Sequence, residues 1–224
     1  MASLSQQAYA VMKEKIISCE YPPGMCLNES VLIAELNLTR MPLRDALRQL
    51  EFEGLVRIRP KKGVVITEVT AEDFTQTTEA LVMMISHVIR HYSHWIDRAR
   101  IGELYQRMSS VWNEESVRND LRRVNAFCFE LYDYLASLCG NKLIQDYLTD
   151  LLEKKRRFIN MMEPKFTANY FYNYFQAPHD TLDAVKALSE GLFKDAAAYI
   201  DMTLREECHC QIMVWINANR KPGQ

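Results

Sequence analysis

Thr39-Arg40-Met41-Pro42-Leu43-Arg44-Asp45-Ala46-Leu47-Arg48-Gln49-Leu50 reads as a helix held from one side and presenting arginine from another. Leu43, Ala46, Leu47 and Leu50 recur at i, i+3, i+4 and i+7, a single apolar stripe at helical period. Arg40, Arg44 and Arg48 recur at i, i+4 and i+8, which stacks them on a separate face. Thr39 suits the N-cap, and Pro42 lies in the first turn, where a missing N–H is tolerated. Gly54 closes the segment, so the spacing predicts a helix from Arg40 to about Glu53. Taken alone, the arginine face also fits a solvated basic surface. The flanking sequence decides between the two.

Upstream, Leu4, Ala8, Val11, Met12, Lys15 and Ile16 fall near helical spacing and predict a helix over 4–18, which Tyr21-Pro22-Pro23-Gly24 stops. A short helix over Glu29–Leu36 buries Leu32, Ile33 and Leu36, and Asn37-Leu38 make the turn into Thr39. Downstream, LVRIR (55–59) and GVVITEV (63–69) are rich in β-branched residues and are joined by Pro60-Lys61-Lys62, a hairpin with a basic tip. Helix, helix-turn-helix and hairpin in that order predict a winged helix-turn-helix over 1–70. After Ala71 glycine and proline become sparse and the sequence turns helical to about 217. Breaks are expected at Gly102, near Asn113–Ser116, at Cys139-Gly140-Asn141, around Pro164 and at Ala177-Pro178. The expected fold class is therefore mainly α. Six or seven helices would form an all-helical bundle domain over 71–219, followed by a disordered tail at 220–224.

Hydrophobic residues make up 48% and charged residues 25% of the 224, an ordinary globular profile. No apolar run approaches the ~18 residues that span a bilayer, and MASLSQQAYAVMKEK lacks the basic-then-apolar layout of a secretory signal. A cytoplasmic location, with no membrane partner, is expected. Net charge is −2, but residues 39–63 hold seven Lys/Arg against three Asp/Glu, a local +4 in an otherwise acidic chain. A footprint on phosphate needs such a concentrated patch rather than a basic whole. Cys19, Cys26, Cys128, Cys139, Cys208 and Cys210 form no CxxC pair and read as small buried hydrophobes.

Pro23-Gly24, Leu27, Glu29, Leu32, Leu36, Thr39-Arg40-Met41-Pro42-Leu43-Arg44-Asp45-Ala46-Leu47, Leu50-Glu51 and Glu53-Gly54-Leu55-Val56 together resemble the GntR family of bacterial regulators. The chain departs from the usual pattern in Thr39 for Ser, Asn37 for Gly and Asp45 for Glu. The resemblance implies that Arg40 and Arg44 touch bases and that the wing tip, Lys61, Lys62 and Gly63, enters the minor groove. Thr39, Met41 and Arg48 complete the expected DNA-binding set. Ser30 stands where one member of the family places a further base-contacting Arg.

The helical half resembles the FCD-type C-terminal domain of the FadR subfamily, through Leu135, Cys139-Gly140-Asn141 and His179. Many of its members hold a divalent metal with an Asp and a His at i, i+4 and two later His. In that register Cys128 and Tyr132 replace the first two ligands, His179 matches the third, and Thr203 falls near the fourth. The resemblance therefore implies no metal, and a pocket of Cys128, Tyr132, His179 and Thr203 for a small organic effector of unknown identity.

Two other metal readings are weaker. His87, His91 and His94, at i, i+4 and i+7, would line one helical face, whose bland reading is polar surface. Cys208-His209-Cys210 is rejected because adjacent helical residues diverge by about 100°. The aromatic run at 166–175 reads as packing surface. The functional expectation is a homodimeric, sequence-specific transcriptional regulator, a repressor, that binds a double-stranded DNA operator under effector control. An effector-independent DNA-binding dimer is the alternative. Without paired carboxylates or a nucleophile motif, no enzyme is expected.

Overall fold

The computed structural model describes residues 3–59, 63–112, 121–162 and 177–219, with side chains for all of these except 112, 121–124, 177–180 and 217–219. Pro60, Lys61 and Lys62, the expected breaks at 113–116 and Pro164, the aromatic run at 166–175, the tail at 220–224 and the side chain of His179 lie outside the described residues. The chain groups into two units, Met1–Thr70 with Arg156–Met161, and Ala71–Lys155 with Met162–Gln224.

In the first unit α1 (Leu4–Ile17) opens on a capping box. The Ser3 hydroxyl accepts from the Gln6 backbone N–H, and the Gln6 side chain accepts from that of Ser3. β1 (Cys26–Leu27) follows, a strand too short for alternation to reveal in the sequence. α2 (Glu29–Glu35) is capped by the Asn28 side chain, which accepts from the Ser30 N–H. Asn37 takes φ +50 in the turn to α3 (Arg40–Phe52). Asn enters the left-handed region more readily than other non-glycine residues, so it serves where glycine otherwise would. Thr39 occupies the N-cap of α3 as expected, but its side chain makes no capping hydrogen bond. β2 (Val56–Arg59) and β3 (Gly63–Ile66) form the hairpin, and the antiparallel sheet runs β1-β3-β2, with Leu27 opposite Val64 and Arg59 opposite Gly63.

The core of this unit is built from Met12, Ile16, Leu32, Leu43, Leu47, Leu50, Val64 and Ile66, all fully buried. A polar tie flanks it: Lys15 Nζ donates to Glu35 at 2.6 Å and the Tyr21 hydroxyl donates to the same oxygen at 2.8 Å. These bonds, Lys15 first and then Tyr21, hold the Glu35 carboxyl below its ordinary range.

Gly63 is required by the sheet itself. Its φ is +89, and a Cβ there would stand 2.5 Å from the Leu27 carbonyl oxygen. The close approach that glycine permits is thus to β1, a reason different from the contact with DNA that suggested it in the sequence. Gly63→Ala is expected to destabilise the first unit by about 2 kcal/mol or more. A urea or thermal unfolding curve checks this; an unchanged midpoint would show that the strand relaxes freely.

In the second unit α4 (Ala71–Tyr92) runs into a 3₁₀ turn at Ser93–Trp95, followed by α5 (Arg98–Trp112), α6 (Leu121–Ser137), α7 (Lys142–Met162), α8 (Ala177–Glu190) and α9 (Phe193–Asn219). The expected break at Gly102 is corrected: α5 passes straight through it, and nothing lies within 4 Å of the position its Cβ would take. A single glycine costs a helix only about 1 kcal/mol, which packing elsewhere outweighs. The breaks fall where a cap is available. Asp97 Oδ1 accepts from the Ala99 and Arg100 N–H groups at the start of α5, and Asn141 Oδ1 accepts from Leu143 and Ile144 at the start of α7. Gly191, at φ +84, separates α8 from α9. α9 packs on α8 and α4, and α8 packs on α5, around a core that includes Leu81, Ile85, Leu131, Leu135, Leu188 and Leu204. Among the described residues no helix is long and apolar enough to cross a membrane.

Candidate nucleic-acid interface

α3 divides its faces as the sequence predicts. Leu43, Ala46, Leu47 and Leu50 are buried, while Thr39, Arg40, Met41, Arg44 and Arg48 are exposed. Two of the arginines have carboxylates beside them. Arg44 Nε lies 3.5 Å from Glu29 Oε2, and Arg48 Nη1 lies 3.9 Å from Asp45 Oδ1. α3 forms one wall of an open cleft of about 610 Å³ whose other walls are β1, the start of α2 and the hairpin. Its lining includes Cys26, Asn28, Glu29, Arg44, Arg48, Ile58, Arg59 and Gly63. Three guanidinium groups on the walls of one concavity make a seat suited to phosphate oxygens, since each presents several N–H donors in a planar fork.

Arg59 belongs to this cleft and was missing from the sequence-derived set. The available signal was strand alternation: in β2 Val56 is buried and Ile58 partly so, while Arg57 and Arg59 are exposed. Cys26 is likewise exposed, a correction to the expectation that the cysteines are buried. Cys19 is intermediate, and Cys128, Cys139, Cys208 and Cys210 are buried.

The second unit holds a buried polar centre. Cys128 and Tyr132, one turn apart on α6, are both buried, as is Thr203 on α9. Beside them Lys155 of α7 donates to Glu207 of α9 at 2.6 Å, with side chains only 1% and 7% exposed. Gln211 donates weakly to the same carboxylate at 3.4 Å, and the Lys155 ammonium lies 5.5 Å from the Phe74 ring centre. Burial, reinforced by the Glu207 charge, pushes the Cys128 thiol up to about 12. Burial likewise drives the Tyr132 phenol well above its ordinary value. Both groups are therefore neutral at physiological pH, and Thr203 is a neutral hydroxyl, so these three are poor donors for a divalent cation. Among the described residues the Thr203 hydroxyl and the Gln211 carbonyl oxygen are buried without a hydrogen-bond partner.

Lys155, Glu207 and Gln211 escaped the sequence reading, although a signal exists. Lys155 interrupts the apolar stripe Leu148, Leu152, Ile159, Met162, and Glu207 with Gln211 interrupts Ile200, Leu204, Val214. The histidine face is corrected as well. α4 ends at Tyr92, so His94 sits in the 3₁₀ turn against Trp95 with ring centres 5.5 Å apart, while His87 and His91 pair at 4.4 Å. Among the described residues no His, Cys, Asp and Glu side chains are grouped so as to hold a metal ion.

Residues 4–66, which lie in the N-terminal unit, match the family model of bacterial regulatory proteins, gntR family. The HTH-type transcriptional repressor RspR of Escherichia coli (strain K12) is 24% identical over 130 residues, 58% of this chain and 55% of that protein. The match thus spans about half the length of that curated relative. Two solved structures share the fold over nearly the whole chain. A Rhodococcus sp. RHA1 protein described as a GntR transcriptional regulator has a TM-score of 0.71 at 19% identity, covering 98% of this chain and 100% of that one. E. coli McbR/YncC has a TM-score of 0.73 at 13% identity with the same coverage. The chain accordingly has the winged helix-turn-helix and helical C-terminal architecture expected of it.

Proposed function

We propose that this chain is a DNA-binding transcriptional regulator of the GntR type, a cytoplasmic repressor that reads a duplex operator through α3. The observation that carries the reading is the division of α3 into a fully buried leucine face and an exposed arginine face, set beside a cleft that Arg44, Arg48 and Arg59 line. An arginine near the start of a recognition helix reaches guanine O6 and N7 through two parallel hydrogen bonds, and neighbouring cations meet phosphate. The similarity to RspR, a transcriptional repressor, points the same way. As a homodimer, two copies read half-sites about one helical turn apart.

The same proposal assigns the helical unit, of FadR-subfamily FCD type, to a small organic effector held without a metal by Cys128, Tyr132, His179 and Thr203. The observation that favours an effector over a purely dimerising bundle is the buried hydroxyl of Thr203 and carbonyl of Gln211. Both lack partners among the described residues, close in sequence to the buried charge of Glu207. Native interiors rarely leave such groups unmet, and a hydrogen-bonding small molecule or ordered water supplies what they lack. This reading assigns the protein a binding role rather than a catalytic one.

The test is selection of duplexes from a randomised library by the purified full chain. Enrichment of a two-fold symmetric sequence is the expected result. Retention of all duplexes equally, with affinity set by salt alone, would overturn the regulator reading.

A further inference from the structure

Arg44 does not project from α3 unaccompanied. Its Nε lies 3.5 Å from Oε2 of Glu29, the first residue of α2, and the Glu29 side chain is 30% exposed against 59% for Arg44. Arg48 differs. Its carboxylate neighbour, Asp45, is on the same helix, 3.9 Å away and 53% exposed. Arg44 therefore has its ion-pair partner on a second helix, and Arg48 has a more distant one on its own.

A guanidinium carries five N–H groups spread over three edges. A carboxylate at Nε leaves the edge formed by the two Nη groups open, and that edge alone suffices for a two-acceptor target such as guanine O6 and N7. Glu29 and Arg44 both line the cleft that also receives Arg48 and Arg59. There the Glu29 carboxylate repels phosphate oxygens. A duplex that offers Arg44 its guanine gains the contact and outweighs that repulsion, whereas a duplex without it meets the repulsion alone. Specificity built from an attractive element and a repulsive one needs both members.

Resting on the reading of α3 as the DNA-reading helix, we infer that Glu29 is a specificity-determining positioning residue. It holds the Arg44 guanidinium with its Nη edge free for a base and charges the cleft against non-operator phosphate. Glu29 also sits in the first turn of α2, where a carboxylate favours the helix dipole. That role is structural, and the experiment must separate it.

Four full-length proteins suffice: wild type, Glu29→Gln, Arg44→Ala and the double variant. Each is titrated with a duplex selected by the wild type and with a scrambled duplex of equal length and composition, and each is melted. Glu29→Gln is expected to tighten binding to the scrambled duplex and to lower the ratio of selected to scrambled affinity about three- to fivefold. In the Arg44→Ala background the same change leaves the ratio where Arg44→Ala put it, because the residue it positions is gone. A lowered melting midpoint with an unchanged ratio overturns the inference, leaving Glu29 a helix-stabilising residue only. An equal fall of the ratio in both backgrounds also overturns it, because Glu29 then acts without Arg44. Failure of the wild type to enrich any duplex removes the DNA-reading role of α3 instead, and with it the ground on which this inference stands.

Discussion

Lys155→Met is expected to cost the helical unit about 3–5 kcal/mol, because it strands the Glu207 carboxylate in an apolar interior. The argument turns on burial rather than on the strength of the ion pair. Lys155 and Glu207 meet at 2.6 Å with side chains 1% and 7% exposed, so neither charge can recruit bulk water when its partner is removed. The double variant Lys155→Met/Glu207→Leu removes both charges, and a buried pair replaced by apolar side chains of similar volume is commonly neutral or even stabilising. The double variant should therefore recover most of the loss. Urea unfolding followed by tryptophan fluorescence reads this directly, because Trp95, Trp112 and Trp215 all fall in the second unit. A Lys155→Met protein as stable as wild type at neutral pH would mean that water reaches the pair and that the polar centre is open.

How far the sequence alone reaches depends on whether a feature is periodic. α3 was legible to within a residue because its four buried positions follow helical spacing and its arginines follow a second spacing on another face. β1 was not, because two residues carry no period, and it is recognised only by its pairing with β3. Gly102 misled because glycine breaks helices by propensity, a preference of about 1 kcal/mol that packing overrides. Gly191 and the turn after Tyr92 do break the helices. At Gly191 the chain adopts a conformation that other residues resist; after Tyr92 the Asp97 side chain caps the next helix.

The same contrast holds for the sites. Thr39, Arg40, Met41, Arg44 and Arg48 are exposed where the pattern placed them, while Lys61 and Lys62 lie outside the described residues. Glu29 as a neighbour of Arg44, and Glu207 as a neighbour of Lys155, are unions of residues 15 and 52 positions apart. No local spacing announces such a pair. For Lys155 and Glu207 the sequence does offer the anomaly on each helix separately, a charge set into an apolar stripe, and only the fold shows that the two answer each other.

Arg40→Ala and Arg44→Ala are each expected to weaken binding to a selected operator by about 1–3 kcal/mol, roughly five- to 150-fold, and to relax discrimination at the base each one reads. Folding should be unaffected, because both side chains are exposed and the leucines that fix α3 lie on its other side. Arg48→Ala serves as an internal comparison. Further from the helix start and loosely tied to Asp45, it meets phosphate if it meets DNA at all, so its loss should weaken selected and scrambled duplexes alike. Lys61→Ala should behave as Arg48→Ala does and flatten the dependence of log affinity on log salt by about one unit, the signature of one lost phosphate contact. Binding curves at several salt concentrations, run on selected and single-base-changed duplexes, separate the two classes. If Arg40→Ala and Arg44→Ala reduce affinity for every duplex by the same factor and shift the salt slope as Lys61→Ala does, then the arginines of α3 serve as phosphate anchors and sequence is read elsewhere.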